Sequence, residues 1–182
     1  MRRRDSLGLC LALGAASVAG GGSRPARAGP EAGEAAREAP ATAAAPVVLR
    51  VGGRIERPPQ GEAAFTLAAL EALGMRRLRT TTPWTQGAQE FSGVPLALLM
   101  RAVRPLGQRL WAEAINRYRA ELPLADAWER DAFLATRRDG EPMRIRDRGP
   151  VWLVYPWTQR PELDIPLYHE RAVWQLRRIE VS

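Results

Sequence analysis

Residues 91–103 read "FSGVPLALLMRAV", and the second part of this stretch sets the architecture. Leu96, Leu99, Met100 and Val103 recur at the i, i+3, i+4, i+7 spacing that gathers apolar side chains on one helix face. Pro95 suits the first turn, where its missing N–H has no partner to lose. Phe91 and a turn at Ser92-Gly93 are expected to lead into it. Upstream, "RLRTTTPW" (77–84) alternates arginine with Leu78 and β-branched threonines, as a strand does, until Pro83 stops the ladder. Thr80 and Thr82 fall on one face and Thr81 on the other. Neither face is plainly apolar, which raises the question of what the hydroxyls line.

Outward from there, "VVLRVGG" (47–53) reads as a strand ending in a turn. Thr66 is placed to cap "LAALEAL" (67–73), with Gly74 as its stop. "WAEAINRY" (111–118) reads as one strand. "LPLADAWE" (122–129) reads as a turn and a short helix starting near Leu124 or Asp126. In "FLATRRDGEPMRI" (133–145), Asp139-Gly140 between two extended runs signals a hairpin. Arg144, Arg146 and Arg148 would share one strand face, as a solvated edge or an anion-binding strip. "GPVWLVYPW" (149–157) is apolar without alternation, so both of its faces are expected to be covered. "RAVWQLRRIEV" (171–181) reads as a final strand. Val173, Gln175, Arg177 and Ile179 would take one face, and Trp174, Leu176, Arg178 and Glu180 the other. The class is α+β, one domain over 47–182, long enough for a single core.

The chain has 182 residues, and what precedes Val47 reads differently. Arg2, Arg3 and Arg4, an apolar run from Leu7 to Gly20 and the small-x-small triplet Ala26-Arg27-Ala28 predict a signal peptide over 1–28. That run is too short and too rich in small residues to span a membrane. Residues 29–46 hold Ala, Glu, Pro and Gly but no aromatic, and predict a disordered linker. The domain is then expected in the periplasm, with no transmembrane segment.

Composition removes several functions. The formal net charge is +7, but five arginines and one acid precede Gly29, leaving +3 beyond it. That is too mild and too scattered for nucleic acid. The single cysteine, Cys10, lies in the leader, so the domain offers no thiolate and no disulfide. With His169 as the only histidine, a Cys/His zinc site is excluded. Between Tyr168 and Glu170, His169 reads as a surface residue. Ser92 lacks a nucleophile-elbow pattern, so no serine triad is supported.

Five segments in order carry a resemblance: "FSGVPLALLMRAV", "AINRYRAELPLADA", "FLATRRDGEPM", "DRGPVWLVYP" and "VWQLRRIEV". Together, from about Leu78 to Val181, they resemble the sulfite oxidase-type oxidoreductase molybdopterin-binding domain family. The resemblance implies a mixed sheet with a few short helices. It also implies molybdenum held by a dithiolene pterin and one cysteine thiolate. The cysteine's place falls in "RTTTPW", at Thr80. The basic residues of the family's "G-x-P-x-R" and "K-W-L" patterns correspond to Trp152 and Trp174. The implied pocket residues are Thr80, Thr82, Trp84, Asn116, Tyr118, Arg148, Trp152 and Trp174, with no metal ligand and no catalytic group among them. Trp152 and Trp174 are either core aromatics or pocket walls beside Trp84, Tyr155 and Trp157. Two functions stay open. One is a non-catalytic domain without a cofactor that binds a small ligand or a partner such as a membrane sensor. The other is a molybdopterin-dependent oxidoreductase with altered metal coordination and a redox partner.

Overall fold

The computed structural model describes residues 45–59 and 61–182. The leader read at 1–28, and all but the last two residues of the linker read at 29–46, lie outside them.

The chain alternates short strands with shorter helices. β1 (Val47–Gly53) and β2 (Glu62–Thr66) pair antiparallel. Thr66 then accepts the Ala69 amide at 3.2 Å and starts α1 (Leu67–Glu71), as the capping pattern predicts. β3 (Arg76–Thr80) stops before Pro83. β4 (Gln89–Pro95) runs straight into α2 (Leu96–Val103), whose Leu96, Leu99, Met100 and Val103 are all buried. The turn expected at Ser92-Gly93 is a strand instead. A Cβ at Gly93 would lie 2.0 Å from the Leu134 carbonyl oxygen, so this glycine permits close strand approach rather than chain reversal. Pro95 sits just outside the helix as its N-cap.

The strand expected over 111–118 is a hairpin of β5 (Arg109–Ala114) and β6 (Arg119–Pro123). Asn116 Oδ1 accepts the Tyr118 amide at 3.0 Å, and Arg117 adopts φ 69°. Such an Asx turn has only a weak sequence signal. α3 (Asp126–Glu129) leads to β7 (Phe133–Arg138) and β8 (Glu141–Pro142). These two strands are joined by Asp139 at φ 52° and Gly140 at φ 87°, the left-handed pair the hairpin signal requires. Arg144, Arg146 and Arg148 do not share a strand face. A 3₁₀ turn at Ile145–Asp147 is closed by Arg144 Nε donating to Asp147 Oδ2 at 2.7 Å. It leaves Arg144 and Arg146 exposed and turns Arg148 inward. β9 (Trp152–Val154), α4 (Pro166–Arg171) and β10 (Leu176–Val181) complete the order.

Two sheets result. The first, β2-β1-β10-β5-β6, is mixed because β1 and β10 run parallel. The second, β3-β4-β7-β8, is antiparallel, with β9 also on β7. Trp152, Leu153 and Val154 are buried on both faces, as the absence of alternation predicts. β10 departs from its expected faces. It begins only at Leu176, and a bulge between Leu176 and Arg178 shifts the alternation, so that Leu176, Ile179 and Val181 are all buried. The architecture is α+β, a mixed sheet and an antiparallel sheet with short helices. Leu49, Val51, Leu70, Leu99, Leu110, Leu134 and Ile179 belong to one core.

A charged clasp ties α1 to β7. Arg137 donates to both Glu71 oxygens at 2.9 Å, and Thr136 Oγ1 donates to Oε1 at 2.8 Å. The Arg137 guanidinium holds the Glu71 carboxyl below its ordinary value, against the opposing effect of burial. A lowered folded pKa contributes stability above the unfolded value of about 4.3 and loses it as pH falls through the folded value. Glu71→Gln should therefore cost about 1.5–3 kcal/mol near neutral pH. In urea unfolding series from pH 7 towards pH 3, the gap to wild type should shrink below pH 4. A gap unchanged at pH 3 would show that charge is not its source.

Candidate functional site

The threonines of "RTTTPW" stitch loops together. Thr80 is fully buried; its hydroxyl accepts the Thr158 amide at 3.1 Å and donates to the Thr81 carbonyl at 3.1 Å. The Thr81 amide answers by donating to Thr158 Oγ1 at 2.8 Å. Thr82 Oγ1 accepts the Trp84 amide at 3.2 Å and is hydrogen-bonded to Thr85 Oγ1 at 2.8 Å. These hydroxyls are engaged with one another and with the backbone. They fix the loop after β3 against the loop after β9, and so fix the backbone that carries Trp84.

Trp84 is the hub of an aromatic cluster. Its ring centroid lies 5.3 Å from Trp174, 5.9 Å from Trp152, 6.1 Å from Trp157 and 6.1 Å from His169. The rings meet tilted or edge-on, the arrangement their quadrupoles favour. Arg148 joins them from behind. Its guanidinium lies 5.3 Å from the Trp152 centroid and 5.1 Å from that of Trp174, and it donates to the Trp84 carbonyl at 3.1 Å. Burial, then the nearby Arg138, lowers its pKa. The indole N–H groups of Trp152 and Trp157 are buried without a partner.

Beside this cluster opens a cavity of ≈ 320 Å³. It is lined by Trp84, Asn116, Tyr118, His169, Glu170, Ala172, Val173 and Trp174. The β5–β6 turn supplies Asn116 and Tyr118, the loop after β3 supplies Trp84, and α4 with the segment after it supplies the others. Tyr118 closes the ring of elements by donating its hydroxyl to the Glu170 carbonyl at 2.9 Å. Burial, then the Glu170 charge, raises the Tyr118 phenol. His169 Nε2 meets Asp164 Oδ1 at 2.7 Å. Beneath α4, Asp126 accepts from Tyr155 at 2.8 Å and from Arg171 at 3.1 Å. Burial, then Asp126, pushes the Tyr155 phenol well up.

Of the residues singled out from sequence, Trp84, Asn116, Tyr118 and Trp174 meet at this cavity. Arg148 packs behind it. Thr80, Thr82 and Trp152 do not reach it. Trp152 is 0% exposed, a core aromatic against Phe91 at 5.4 Å rather than a pocket wall, and Tyr155 is likewise core. Sequence reasoning missed His169, Glu170, Ala172 and Val173. His169 is not a free surface residue; it packs on Trp84 and Trp157. The available signal was Pro166 opening the helix "PLYHER", which sets His169 and Glu170 beside each other on one short element.

A model of the family described as the oxidoreductase molybdopterin binding domain matches residues 48–160. No curated protein matches the sequence. Among solved structures, the chain is similar to the sulfane dehydrogenase SoxCD from Paracoccus pantotrophus, at 23% identity and a TM-score of 0.53. That likeness covers 73% of this chain and 37% of the other, and it carries the fold. The chain thus spans little more than a third of that relative's length.

The burial of Trp152 sets an expected outcome. Trp152→Ala should cost about 3–5 kcal/mol in denaturant melts. In single-tryptophan variants, acrylamide should quench Trp84 and Trp174 and leave Trp152 untouched. A loss below about 1 kcal/mol, or a quenched Trp152, would return it to the cavity wall.

Proposed function

The chain belongs to the oxidoreductase molybdopterin binding domain family, and from that premise we propose that it acts as an exported, non-catalytic domain holding a small ligand in its aromatic cavity. The observation that carries this reading is the donor set around Thr80. Molybdenum in such a site needs a soft anionic ligand, which a protonated hydroxyl does not replace. The only cysteine is Cys10, far outside the domain. The Thr80 hydroxyl is spent on Thr158 and Thr81. Among the described residues, no group of three His, Cys, Asp or Glu is placed to hold a metal.

The organic part of the cofactor fits no better. A pterin phosphate calls for basic side chains, and no arginine among the described residues lines the cavity. Arg148, packed behind it, is committed to Trp84, Trp152 and Trp174. The residues present do not fit the metal-bearing group, so no chemical step is assigned to the domain. Its partner, on this reading, is a membrane-bound sensor that responds to the liganded state. No helix among the described residues is long and apolar enough to cross a membrane. The export signal read in residues 1–28 puts the domain in the periplasm.

A second reading is a molybdopterin-dependent oxidoreductase with altered metal coordination. It is favoured by the family match, which spans both the threonine loop and the Trp152 strand. Metal analysis of protein from its native compartment separates the two, with leaderless protein made in a cofactor-producing cytoplasm as control. Well under one molybdenum per chain is expected. Stoichiometric molybdenum, or pterin fluorescence after oxidation, would overturn the non-catalytic reading in favour of the second. N-terminal sequencing of the exported protein should begin at Gly29. An intact Met1 on a cytoplasmic species would overturn the localisation.

A further inference from the structure

We infer that the cavity takes a small organic cation with an apolar body, an alkylammonium, rather than a flat heteroaromatic or an anion. The inference rests on the ligand-binding reading above and names the ligand class. Ring geometry argues first. Trp84 stands at 67° to Trp174 and at 71° to His169. A flat ligand is best held between parallel walls. Walls near right angles make a corner, which suits a compact, rounded group such as a methylated ammonium.

Charge argues second. The acidic residue lining the cavity is Glu170, whose charge is near enough to raise the Tyr118 phenol. Its basic neighbours on the same helix are engaged elsewhere, His169 with Asp164 at 2.7 Å and Arg171 with Asp126 at 3.1 Å. Among the described residues, no arginine lines the space. An anion entering would meet Glu170 with the Arg148 guanidinium screened behind Trp174, whereas a cation would meet a carboxylate and aromatic rings. The cluster already holds one cation in this manner, since the Arg148 guanidinium lies within 5.3 Å of two tryptophan rings. The volume of ≈ 320 Å³ lies at the small end of ligand sites, which suits an amine of a few carbons.

The test uses the whole exported chain and two probes of nearly equal shape, choline and its neutral isostere 3,3-dimethylbutan-1-ol, followed by tryptophan fluorescence. Choline should quench saturably and bind about tenfold more tightly than the isostere. Glu170→Gln should weaken choline several-fold and leave the isostere unchanged, which a merely structural role for Glu170 would not do. Trp174→Leu should weaken both probes. Equal binding of the two probes would overturn the cation inference and leave the pocket reading standing. Binding of neither probe would also overturn it. The pocket reading itself falls only if acrylamide fails to reach Trp84 and Trp174. Tighter binding of inorganic phosphate than of choline would reverse the sign assigned to the site.

Discussion

The Arg148 guanidinium lies against Trp152 and Trp174 and is hydrogen-bonded to the backbone of Trp84. Three parts of the chain converge on it: β9 in the antiparallel sheet, the lead-in to β10 in the mixed sheet, and the loop after β3. β9 and the lead-in to β10 are also tied by backbone bonds, Leu153 N–H to the Val173 carbonyl and Leu176 N–H to the Val151 carbonyl, both at 2.9 Å, and the loop after β3 is held against them here through side chains. Each cation–π contact contributes about 0.5–2 kcal/mol when shielded from water. Edge-on aromatic pairs add about 0.5–1.5 kcal/mol each beyond their burial. Against this stand two unpartnered indole N–H groups, at about 1–3 kcal/mol each. The balance favours the cluster because every ring in it also leaves water.

That clasp depends on a backbone conformation the sequence hides. Arg148 adopts φ 72°, uncommon for a side chain with a Cβ. The next residue, Gly149, has no room for a Cβ, which would fall 2.1 Å from the Met143 carbonyl oxygen. The 3₁₀ turn before them brings the chain around so that the third of three alternating arginines points inward. An extended reading of Arg144, Arg146 and Arg148 follows from spacing alone. It fails because the Arg144–Asp147 pair and the tight approach at Gly149 favour a turn, and neither is a periodicity.

The same division runs through the molecule. The α2 face, the Thr66 cap, the Asp139-Gly140 hairpin and the buried β9 were legible, because each follows from local spacing or from one residue's backbone preference. The β5–β6 turn, the bulge in β10 and the strand character of Ser92-Gly93 were not. The turn is a local Asx turn with a weak signal, while the bulge and the strand character each depend on a partner strand far off in sequence, as Gly93 does on Leu134. The cavity was half legible for the same reason. Trp84, Asn116, Tyr118 and Trp174 stand out as residue types. His169 and Glu170 become wall residues only when Asp126, Tyr155 and Arg171 anchor α4 beneath them.

A shared fold fixes where a cavity forms but leaves its chemistry to the side chains around it. Here the loop that carries Trp84 is held by threonine hydroxyls turned toward one another, so its polar capacity is used up in structure. What remains at the cavity is indole, phenol, imidazole, one amide and one carboxylate. Indole and phenol rings attract cations through their faces and give an anion only an N–H or O–H edge. The phenol of Tyr118 is already committed to Glu170, and the imidazole of His169 to Asp164. Two donors that could have met a phosphate are thus spent on the protein, while Asn116 spends its amide oxygen on the Tyr118 N–H. The electrostatic character of the site therefore follows first from the Glu170 carboxylate and the aromatic faces around it, and secondarily from the donors that Tyr118 and His169 spend inside the protein.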